Sequence, residues 1–306
     1  MTTRSELEPY LTQHLSCPLC RHPLHLEVDA YRCSGCEQIF AHTPQQQGDF
    51  RLHHGTSISY AYRYAPLAYD TCLDVPIQRE RPCPERRNEF CGTVPPHLTQ
   101  NQISYIPQAG PGEIALDLGC GNGLQRGVLQ ELGYVYYGVD FASTVADDLV
   151  DAHALPYCDN VFDVVLSIAV LEHLAQPFKA LEEVYRVLKP SKLFIGTVAF
   201  LEPFHDNSFF HFSHLGLWAA LQSTGFAVET ILSIPGWHVA RAQVEMGFGA
   251  RLPRWLTAVL SEPFAWALTS YTWLGRVCAK DKSRHNPDIA WARHAGSFFF
   301  VARKLS

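Results

Sequence analysis

A short apolar strand that ends in three alternating glycines constrains the fold of this chain more than any other segment. Residues 116–123 read Leu-Asp-Leu-Gly-Cys-Gly-Asn-Gly, and a helical stretch follows at 124–132. The glycines let the backbone turn sharply and approach a ligand that any Cβ would block. The spacing G-x-G-x-G, with Asp117 inside the strand end, meets the dinucleotide-binding fingerprint only in part. The turn therefore indicates a nucleotide-type ligand that need not be a dinucleotide.

Apolar strand-like runs alternate with helical segments after this turn. The runs lie at 134–140, 148–151, 161–169 and 192–200, and a helical segment lies at 178–188. Strands that alternate with helices predict a parallel sheet covered by helices on both faces. Ligands of such sheets lie at the carboxyl ends of the strands. Functional residues are therefore expected where the strands end.

Carboxylates and an aromatic ring stand at these strand ends. Asp140 ends the second strand about twenty residues after the glycine turn, where a carboxylate can accept hydrogen bonds from two ribose hydroxyls. Phe141 follows it, and its ring can pack against a purine face. Asp151 can accept from an exocyclic amine, while the backbone N–H of Ala152 meets a ring nitrogen. A single aspartate at a strand end is more often a loop cap, but the joint placement of two favours a nucleoside site.

Residues 114–226 resemble the class I S-adenosylmethionine-dependent methyltransferases, in particular the group that includes the ubiquinone and menaquinone biosynthesis methyltransferases. Besides the glycine turn and Asp140, the likeness rests on Asp-Ala-His-Ala-Leu-Pro at 151–156, Val-Phe-Asp-Val-Val at 161–165, Leu-Glu-His-Leu at 171–174 and Val-Tyr-Arg-Val-Leu-Lys-Pro at 184–190. The resemblance implies a Rossmann-like, doubly wound α/β fold. Its seven-stranded sheet would end in an antiparallel strand, here at 296–303.

The same resemblance implies a cofactor and roles for the site residues. The cofactor would be S-adenosyl-L-methionine, with Asp117 and the three glycines at its methionine end, Asp140 at the ribose and Asp151 with Ala152 at the adenine. The predicted cofactor-binding set is Asp117, Gly119, Gly121, Gly123, Asp140, Phe141, Asp151, Ala152 and Ser167.

Four cysteines near the start of the chain form two C-x2-C pairs. Cys17 and Cys20 make the first pair and Cys33 and Cys36 the second, with twelve residues between the pairs. This is the spacing of a four-cysteine zinc ribbon. A module of about 35 residues cannot bury enough apolar surface alone, so metal binding would hold it together. Four thiolates close the coordination sphere, which predicts a structural rather than a catalytic Zn²⁺.

The ribbon is predicted to be a docking or folding module. It is similar to the ribbons of an rRNA guanine methyltransferase family and of small methyltransferase-activating proteins. Contact with RNA through Arg21, His22, His25 and Arg32, a lid over the substrate site, and contact with another protein all stay open. The chain of 306 residues has a formal net charge of −6, so it has no global electrostatic footprint for nucleic acid.

The first residues, Met-Thr-Thr-Arg-Ser-Glu-Leu-Glu, have no apolar core after a basic flank. They do not resemble a secretory signal, and we expect a cytoplasmic protein. Ten cysteines in that compartment indicate metal ligands or free thiols rather than disulfides.

Histidines mark the expected acceptor side of the site. Methyl transfer from a sulfonium is an in-line displacement, so alignment is the main task and a base is optional. His205 lies in an aromatic, histidine-dense loop at 203–214, which is similar to a Pro-Phe-His segment of this enzyme group, and it is the leading candidate for a base or acceptor ligand. His173 follows the fourth strand and is the second candidate, with a structural role at a helix start as its alternative.

A long insertion, at about 235–293, precedes the last strand. It contains apolar helical turns at 253–277, interrupted by Glu262 and Pro263, and no uncharged run reaches the length that spans a bilayer. Burial against the sheet, or a cover over the acceptor pocket, is the first expectation. Peripheral membrane contact is the alternative.

These observations divide the chain into a zinc ribbon at 1–50, a connecting or substrate-cap segment at 51–110 and a methyltransferase domain at 111–306. The predicted function is methyl transfer from S-adenosyl-L-methionine to a small-molecule acceptor, which would be a metabolite, a lipid or a glycan precursor. The alternatives are methylation of an rRNA or tRNA base, with the ribbon holding the RNA, and a non-catalytic cofactor-binding partner protein.

Overall fold

The computed structural model describes residues 10–53, 55–61, 75–85, 87–278 and 287–306. Parts of the predicted ribbon (1–9), connecting segment (54, 62–74 and 86) and insertion (279–286) lie outside the described residues. The strands are β1 (Leu24–Leu26), β2 (Ala30–Cys33), β3 (Ile39–Ala41), β4 (Asp49–Phe50), β5 (Ile77–Arg79), β6 (Ile114–Leu118), β7 (Val135–Asp140), β8 (Asp148–Val150), β9 (Phe162–Ile168), β10 (Leu188–Ala199), β11 (Phe226–Ser233) and β12 (Ser297–Lys304).

The named helices are α1 (Gln100–Ile103), α2 (Arg126–Glu131), α3 (Pro177–Val187), α4 (His214–Thr224), α5 (Val239–Ala242), α6 (Arg254–Cys278) and α7 (Pro287–Ala292). Short 3-10 turns lie at Leu171–His173 and Pro235–Trp237, and a π-helical segment lies at Gln243–Phe248. None of the described helices is long and apolar enough to cross a membrane.

The main sheet has the strand order β4-β8-β7-β6-β9-β10-β12-β11-β5. Strand β6 runs parallel to β7 and β9, whereas β12 runs antiparallel to β10 and β11. The sequence predicts seven strands. In the described part of the chain, the seven strands from β8 to β11 in this order are flanked by two short strands, β4 and β5, so the sheet has nine strands. They are two and three residues long, too short for a hydrophobic pattern to reveal.

The central strands are buried on both faces, as their continuous apolar sequences require. Every residue of β6 and β9 is buried. Along β6, Leu116 packs into the cluster that includes α3 and α4, and Ala115 packs into the opposite cluster, which includes α2. This three-layer arrangement fixes the carboxyl ends of β6, β7, β8 and β9 at one edge of the sheet.

The ribbon is a separate antiparallel sheet of β1, β2 and β3 that contacts the larger sheet directly. A bridge joins Leu15 to Tyr157, and the chain leaves the ribbon to form β4, which pairs with β8. The boundaries at 50 and 110 stay predictions. The segments before them nevertheless supply both edge strands of the main sheet.

Candidate cofactor and acceptor site

The glycine turn joins β6 to α2 in a left-handed backbone conformation. Gly119, Gly121 and Gly123 have φ angles of 71°, 51° and 70°. A Cβ added to Gly119 would also lie 2.5 Å from a methyl carbon of Val170. Only glycine satisfies both the backbone angle and the space at this position. The turn thus exposes backbone at the sheet edge, as the sequence indicates.

The carboxylate of Asp140 is fixed across the mouth of this turn. The N–H of Gly121 donates to its Oδ2 at 3.0 Å, and the N–H groups of Ala142 and Ser143 donate to its Oδ1 at 2.9 and 3.0 Å. Each carboxylate oxygen has two lone-pair directions, so the group can still accept hydrogen bonds from a ligand. Asp140 is therefore both a structural cap and an oriented acceptor.

Phe141 exposes more than half of its side chain beside Asp140. The guanidinium carbon of Arg51 lies 5.6 Å from the ring centroid, and Arg51 Nη1 donates to the Phe141 carbonyl at 3.2 Å. Asp49 pairs with the same guanidinium at 2.6 Å. Sequence reasoning missed Arg51, because it lies ninety residues away in the chain and reaches the site only through the edge strand β4.

Asp117 is almost fully buried at the end of β6. The hydroxyl of Tyr136, on the neighbouring strand, donates to its Oδ2 at 2.8 Å. Burial raises the pKa of Asp117 to about 7, although the hydrogen bond from Tyr136 favours the ionised form. A carboxyl group with a pKa near 7 readily loses its proton when a cation binds next to it.

Asp151 pairs with His153 in the loop after β8. His153 Nδ1 lies 2.5 Å from Asp151 Oδ1, and the Gln176 N–H donates to His153 Nε2 at 3.2 Å. Nδ1 must therefore carry the ring proton and donate it to the carboxylate. Burial alone would raise the pKa of Asp151, but the contacts with His153 hold it below its usual range. The second oxygen, Oδ2, is the one suited to a ligand amine.

Ala152 and Ser167 are both buried. Ala152 lies in the loop beside Asp151, as expected of a backbone donor. Ser167 lies inside β9 opposite Gly196 of β10, and its hydroxyl has no hydrogen-bond partner within the described residues.

An arginine of the ribbon supports the loop that contains Asp151. Arg21 donates to the Leu155 carbonyl at 2.9 Å and to Glu183 Oε1 at 2.6 Å. Glu183, nearly fully buried on α3, accepts the Leu155 N–H at 3.0 Å through its other oxygen and also pairs with Arg186 at 2.8 Å. The sequence offered Arg21 as an RNA contact. Its guanidinium bridges the ribbon to the loop after β8.

The four ribbon cysteines converge. Their sulfur atoms lie within 4.8 Å of one another, with 3.7 Å between Cys17 and Cys36 and 3.3 Å between Cys20 and Cys33. Tetrahedral Zn–S bonds of about 2.3 Å require sulfurs about 3.8 Å apart. Burial acts to raise the pKa of Cys33, but N–H donors of Cys36 and Gly35 help to lower it to about 6. The donor set, the spacing and a stabilised thiolate fit a four-coordinate zinc ion.

Three imidazoles meet in the loops that follow β9 and β10. The ring centroids of His173 and His205 lie 5.2 Å apart, and those of His205 and His211 lie 6.4 Å apart. His205 Nδ1 lies 3.1 Å from the Pro203 carbonyl, which can only accept, so Nδ1 carries the proton and Nε2 is the basic nitrogen. Burial lowers the pKa of His173, and the proximity of His205 lowers it further. Sequence reasoning named His173 and His205 but not their contact.

Two carboxyl groups accompany these histidines, and the sequence reasoning missed both. Burial raises the pKa of Glu172 to about 7, and its Oε2 is buried without a partner in the described part of the chain. Burial also raises the pKa of Glu202, while the indole N–H of Trp237 donates to Glu202 Oε1 at 2.6 Å. Glu172 sits in the quoted Leu-Glu-His-Leu segment. Its position directly before His173 was the available signal.

A cavity of about 450 Å³ lies at the opposite edge of the sheet, where Glu113, Tyr134 and Asp163 stand near the amino ends of three strands. Its charged side chains largely pair with one another: Lys192 contacts Glu113, and it lies 3.5 Å from Asp163. Ligands of doubly wound sheets bind at the carboxyl edge, so we do not assign the site to this cavity.

Residues 116–196 match the family model described as a methyltransferase domain. An uncharacterized 37.1 kDa protein in transposon TN4556 of Streptomyces fradiae is 31% identical over 160 residues, which cover 46% of this chain and 44% of that protein. The tRNA (carboxymethyluridine(34)-5-O)-methyltransferase of Arabidopsis thaliana is 31% identical over 124 residues, which cover 34% of this chain and 30% of that protein.

A solved structure of a Haemonchus contortus phosphoethanolamine N-methyltransferase, in complex with phosphomonomethylethanolamine and S-adenosylhomocysteine, superposes with a TM-score of 0.40 at 17% identity. The match covers 65% of this chain and 50% of that chain. The chain spans less than half the length of the two curated relatives named above.

Proposed function

We propose that this chain is a class I S-adenosylmethionine-dependent methyltransferase that transfers the methyl group of that cofactor to a small-molecule acceptor. The match of residues 116–196 to a methyltransferase domain supports the proposal. The observation that carries the proposal is the Asp140 carboxylate, held by three backbone N–H groups at the mouth of a left-handed glycine turn. A ribose diol is the ligand that such an oriented carboxylate suits best. The acceptor would be a metabolite, a lipid or a glycan precursor.

The remaining cofactor contacts follow from the same edge of the sheet. Asp117 would receive the ammonium of the methionine end, and the exposed ring of Phe141, with Arg51 above it, would flank the adenine. Asp151 Oδ2 would accept the adenine amine, with the Ala152 N–H on a ring nitrogen. Cys17, Cys20, Cys33 and Cys36 would hold a structural Zn²⁺.

The imidazole of His205 would act as the base or acceptor ligand, because Nε2 is the nitrogen left to accept a proton. His173 lies against it and would help to position it. When bound, the cofactor supplies an electrophilic methyl group. The protein would align the acceptor with that group and exclude water.

The ribbon's own contacts favour a small acceptor over RNA. Arg21 is engaged with Leu155 and Glu183, and Arg32 pairs with Glu27 at 2.6 Å. Two of the four basic residues that could contact RNA are therefore already paired with carboxylates of the chain. One relative is a tRNA methyltransferase, so RNA stays the alternative that the experiment must test. A non-catalytic partner protein would have no need of the histidine cluster.

The substrate class is tested by incubating the protein with methyl-labelled S-adenosyl-L-methionine and, separately, RNA, lipid and small-molecule fractions. We expect label in a small-molecule or lipid product. Label in RNA alone would overturn the acceptor assignment, and failure to bind the cofactor in calorimetry would overturn the whole proposal.

Cofactor affinity is expected to depend on pH through Asp117. Below its pKa of about 7 the carboxyl group is mostly neutral, whereas the ligand's ammonium prefers a carboxylate. Affinity should therefore rise about fivefold to tenfold from about pH 6 to pH 7.5, and fall again once the ligand's amine deprotonates near pH 8. Calorimetric Kd values across this range test it. Asp117→Asn should abolish the rise, and a pH-independent Kd in the unmodified protein would contradict the assignment.

His205→Gln is expected to slow methyl transfer about 100-fold, the usual contribution of a general base. The cofactor Kd should not change, because His205 lies on the acceptor side. Single-turnover rates with the labelled cofactor and the identified acceptor fraction measure the first quantity, and calorimetry measures the second. His25→Gln, an exposed ribbon histidine, is the matched control. An unchanged rate in His205→Gln would remove this residue from the chemistry.

A further inference from the structure

Helix α6 has its polar and apolar faces reversed with respect to an ordinary surface helix. Thr257 and Ser261 are almost fully buried against the domain, together with Leu268. More than half of each of eight large apolar side chains is exposed to solvent: Trp255, Val259, Leu260, Trp266, Tyr271, Trp273, Leu274 and Val277. At 100° per residue these eight span roughly 160° of the helix circumference. A continuous exposed apolar face of this breadth marks an interaction surface.

The inner face of α6 is firmly anchored. The Thr257 hydroxyl donates to Glu245 Oε1 at 2.9 Å, and Glu245 is in turn held by Arg241 at 2.5 Å. The Phe264 ring lies between His238 and His294, with centroid distances of 5.4 and 5.7 Å. Because the inner side of the helix is packed from Thr257 to Leu268, only the outer side of this part can enter a membrane or contact another molecule. The helix would therefore lie parallel to any surface that it contacts.

The chemistry of the outer face fits a bilayer surface better than a second protein chain. Three tryptophans and one tyrosine are among the eight side chains, and these residues favour the interface between lipid and water. A coiled-coil partner would need a narrow apolar seam, whereas this face is about 160° wide. Pro263 also lies inside this continuous helix, where the missing N–H and the ring distort the local geometry, which opposes a long regular seam. A fluid phase can cover a broad, irregular face without matched side chains.

Charge supports the same assignment. Residues 251–278 contain three arginines, at 251, 254 and 276, and one acidic residue, Glu262, so this segment is positive in a chain of net charge −6. In the sequence, Arg251 and Arg254 precede the first exposed tryptophan of α6, and Arg276 lies near the end of the helix. Each basic group near an anionic membrane surface contributes about 1 kcal/mol to binding.

We propose that the outer face of α6 docks flat on a bilayer that contains anionic phospholipid. The tryptophan rings would enter the zone between headgroups and acyl chains, and the net positive charge of the segment would favour the anionic lipid. This inference stands apart from the proposed methyl transfer, because it would hold whatever the acceptor is.

The test uses the full-length, zinc-loaded protein and two kinds of vesicle, phosphatidylcholine alone and phosphatidylcholine mixed with phosphatidylserine. We expect co-sedimentation with the mixed vesicles, weaker binding to the neutral ones, and, in high salt, binding to the mixed vesicles that falls to the level of the neutral ones. Tryptophan emission should shift to the blue, and brominated lipid should quench it. Trp266→Glu/Trp273→Glu should weaken binding to mixed vesicles by about tenfold or more, because a charge on the face that enters the bilayer is costly.

Val28→Glu/Leu305→Glu is the matched control, since it adds two charges at exposed apolar positions outside the helix and should bind as the unmodified protein does. Absence of binding to either vesicle, or absence of quenching in the unmodified protein, would overturn the proposal. So would a dimer in solution that Trp266→Glu/Trp273→Glu dissociates while vesicle binding is unaffected, because the face would then pair two copies of the chain. The quenching result needs no variant, so it decides the question even if the substituted protein misfolds.

Discussion

Replacing Cys33 with serine is expected to remove the bound zinc and unfold the ribbon. The unmodified protein should contain about one zinc per chain, and Cys33→Ser should contain almost none. The reason is that Cys33 contributes one of four sulfurs that lie within 4.8 Å of one another. Structural zinc sites of this kind contribute on the order of 10 kcal/mol, far more than the small apolar core of a ribbon can replace. Metal analysis and limited proteolysis between residues 10 and 50 are the measurements.

Cys91→Ser is the control for this substitution, because Cys91 is an exposed thiol far from the cluster in sequence. It should keep its zinc and its resistance to protease. A Cys33→Ser protein that is free of metal and still resists cleavage in the ribbon would contradict the zinc assignment.

Loss of the ribbon should also weaken cofactor binding. Arg21 stands beside the first cysteine pair and holds the Leu155 carbonyl and Glu183, which fix the loop after Asp151. A companion variant, Arg21→Gln, separates the two effects. It should keep its zinc, since no ligand is changed, and bind the cofactor less tightly, because the loop loses a hydrogen bond to a charged group.

Asp140→Ala is expected to reduce affinity for S-adenosyl-L-methionine about 100-fold or more. Two hydrogen bonds from a ribose to an ionised acceptor would be lost, and each such bond contributes about 1.5–3 kcal/mol. The backbone N–H groups of Gly121, Ala142 and Ser143 would also lose their common acceptor, so the glycine turn would lose its support. Titration calorimetry measures the Kd.

Asp140→Asn distinguishes the two causes, because the amide oxygen can still accept from the turn while the charge is gone. We expect an affinity between those of the unmodified and alanine proteins. Asp29→Ala, at an exposed turn of the ribbon, should bind the cofactor normally. Unchanged binding in Asp140→Ala would mean that the ribose lies elsewhere, and the proposed cofactor geometry would fail with it.

The fold can be predicted from the sequence where the local hydrophobic pattern and the burial agree. The apolar runs at β6 and β9 predict buried parallel strands, and both are buried throughout. The glycine turn needs left-handed backbone, which the residue type itself reveals. The two edge strands β4 and β5 escape prediction, because pairing with β8 and β11, rather than any periodicity, defines them.

The candidate site can be predicted from the sequence to the same extent. Asp117, Asp140 and Asp151 stand at strand ends that the alternation of strands and helices predicts. Arg51 and Arg21 cannot be found in this way, because each reaches the site from a distant segment. A side chain's partners across ninety or more residues are a property of packing, which no local pattern contains.

The sequence by itself determined the classes of chemistry: a glycine turn for a nucleotide-type ligand, carboxylates to hold it and four thiolates spaced for a metal. These classes of chemistry depend on residue type and on short spacings along the chain, and both can be read directly from the sequence. Only the packing of the folded chain shows that Arg21 ties the ribbon to the loop after β8, that three imidazoles meet, and that α6 turns its tryptophans outward. The same helical sequence could bury either face, and only the packing of Thr257, Ser261 and Phe264 on the domain selects which side solvent meets.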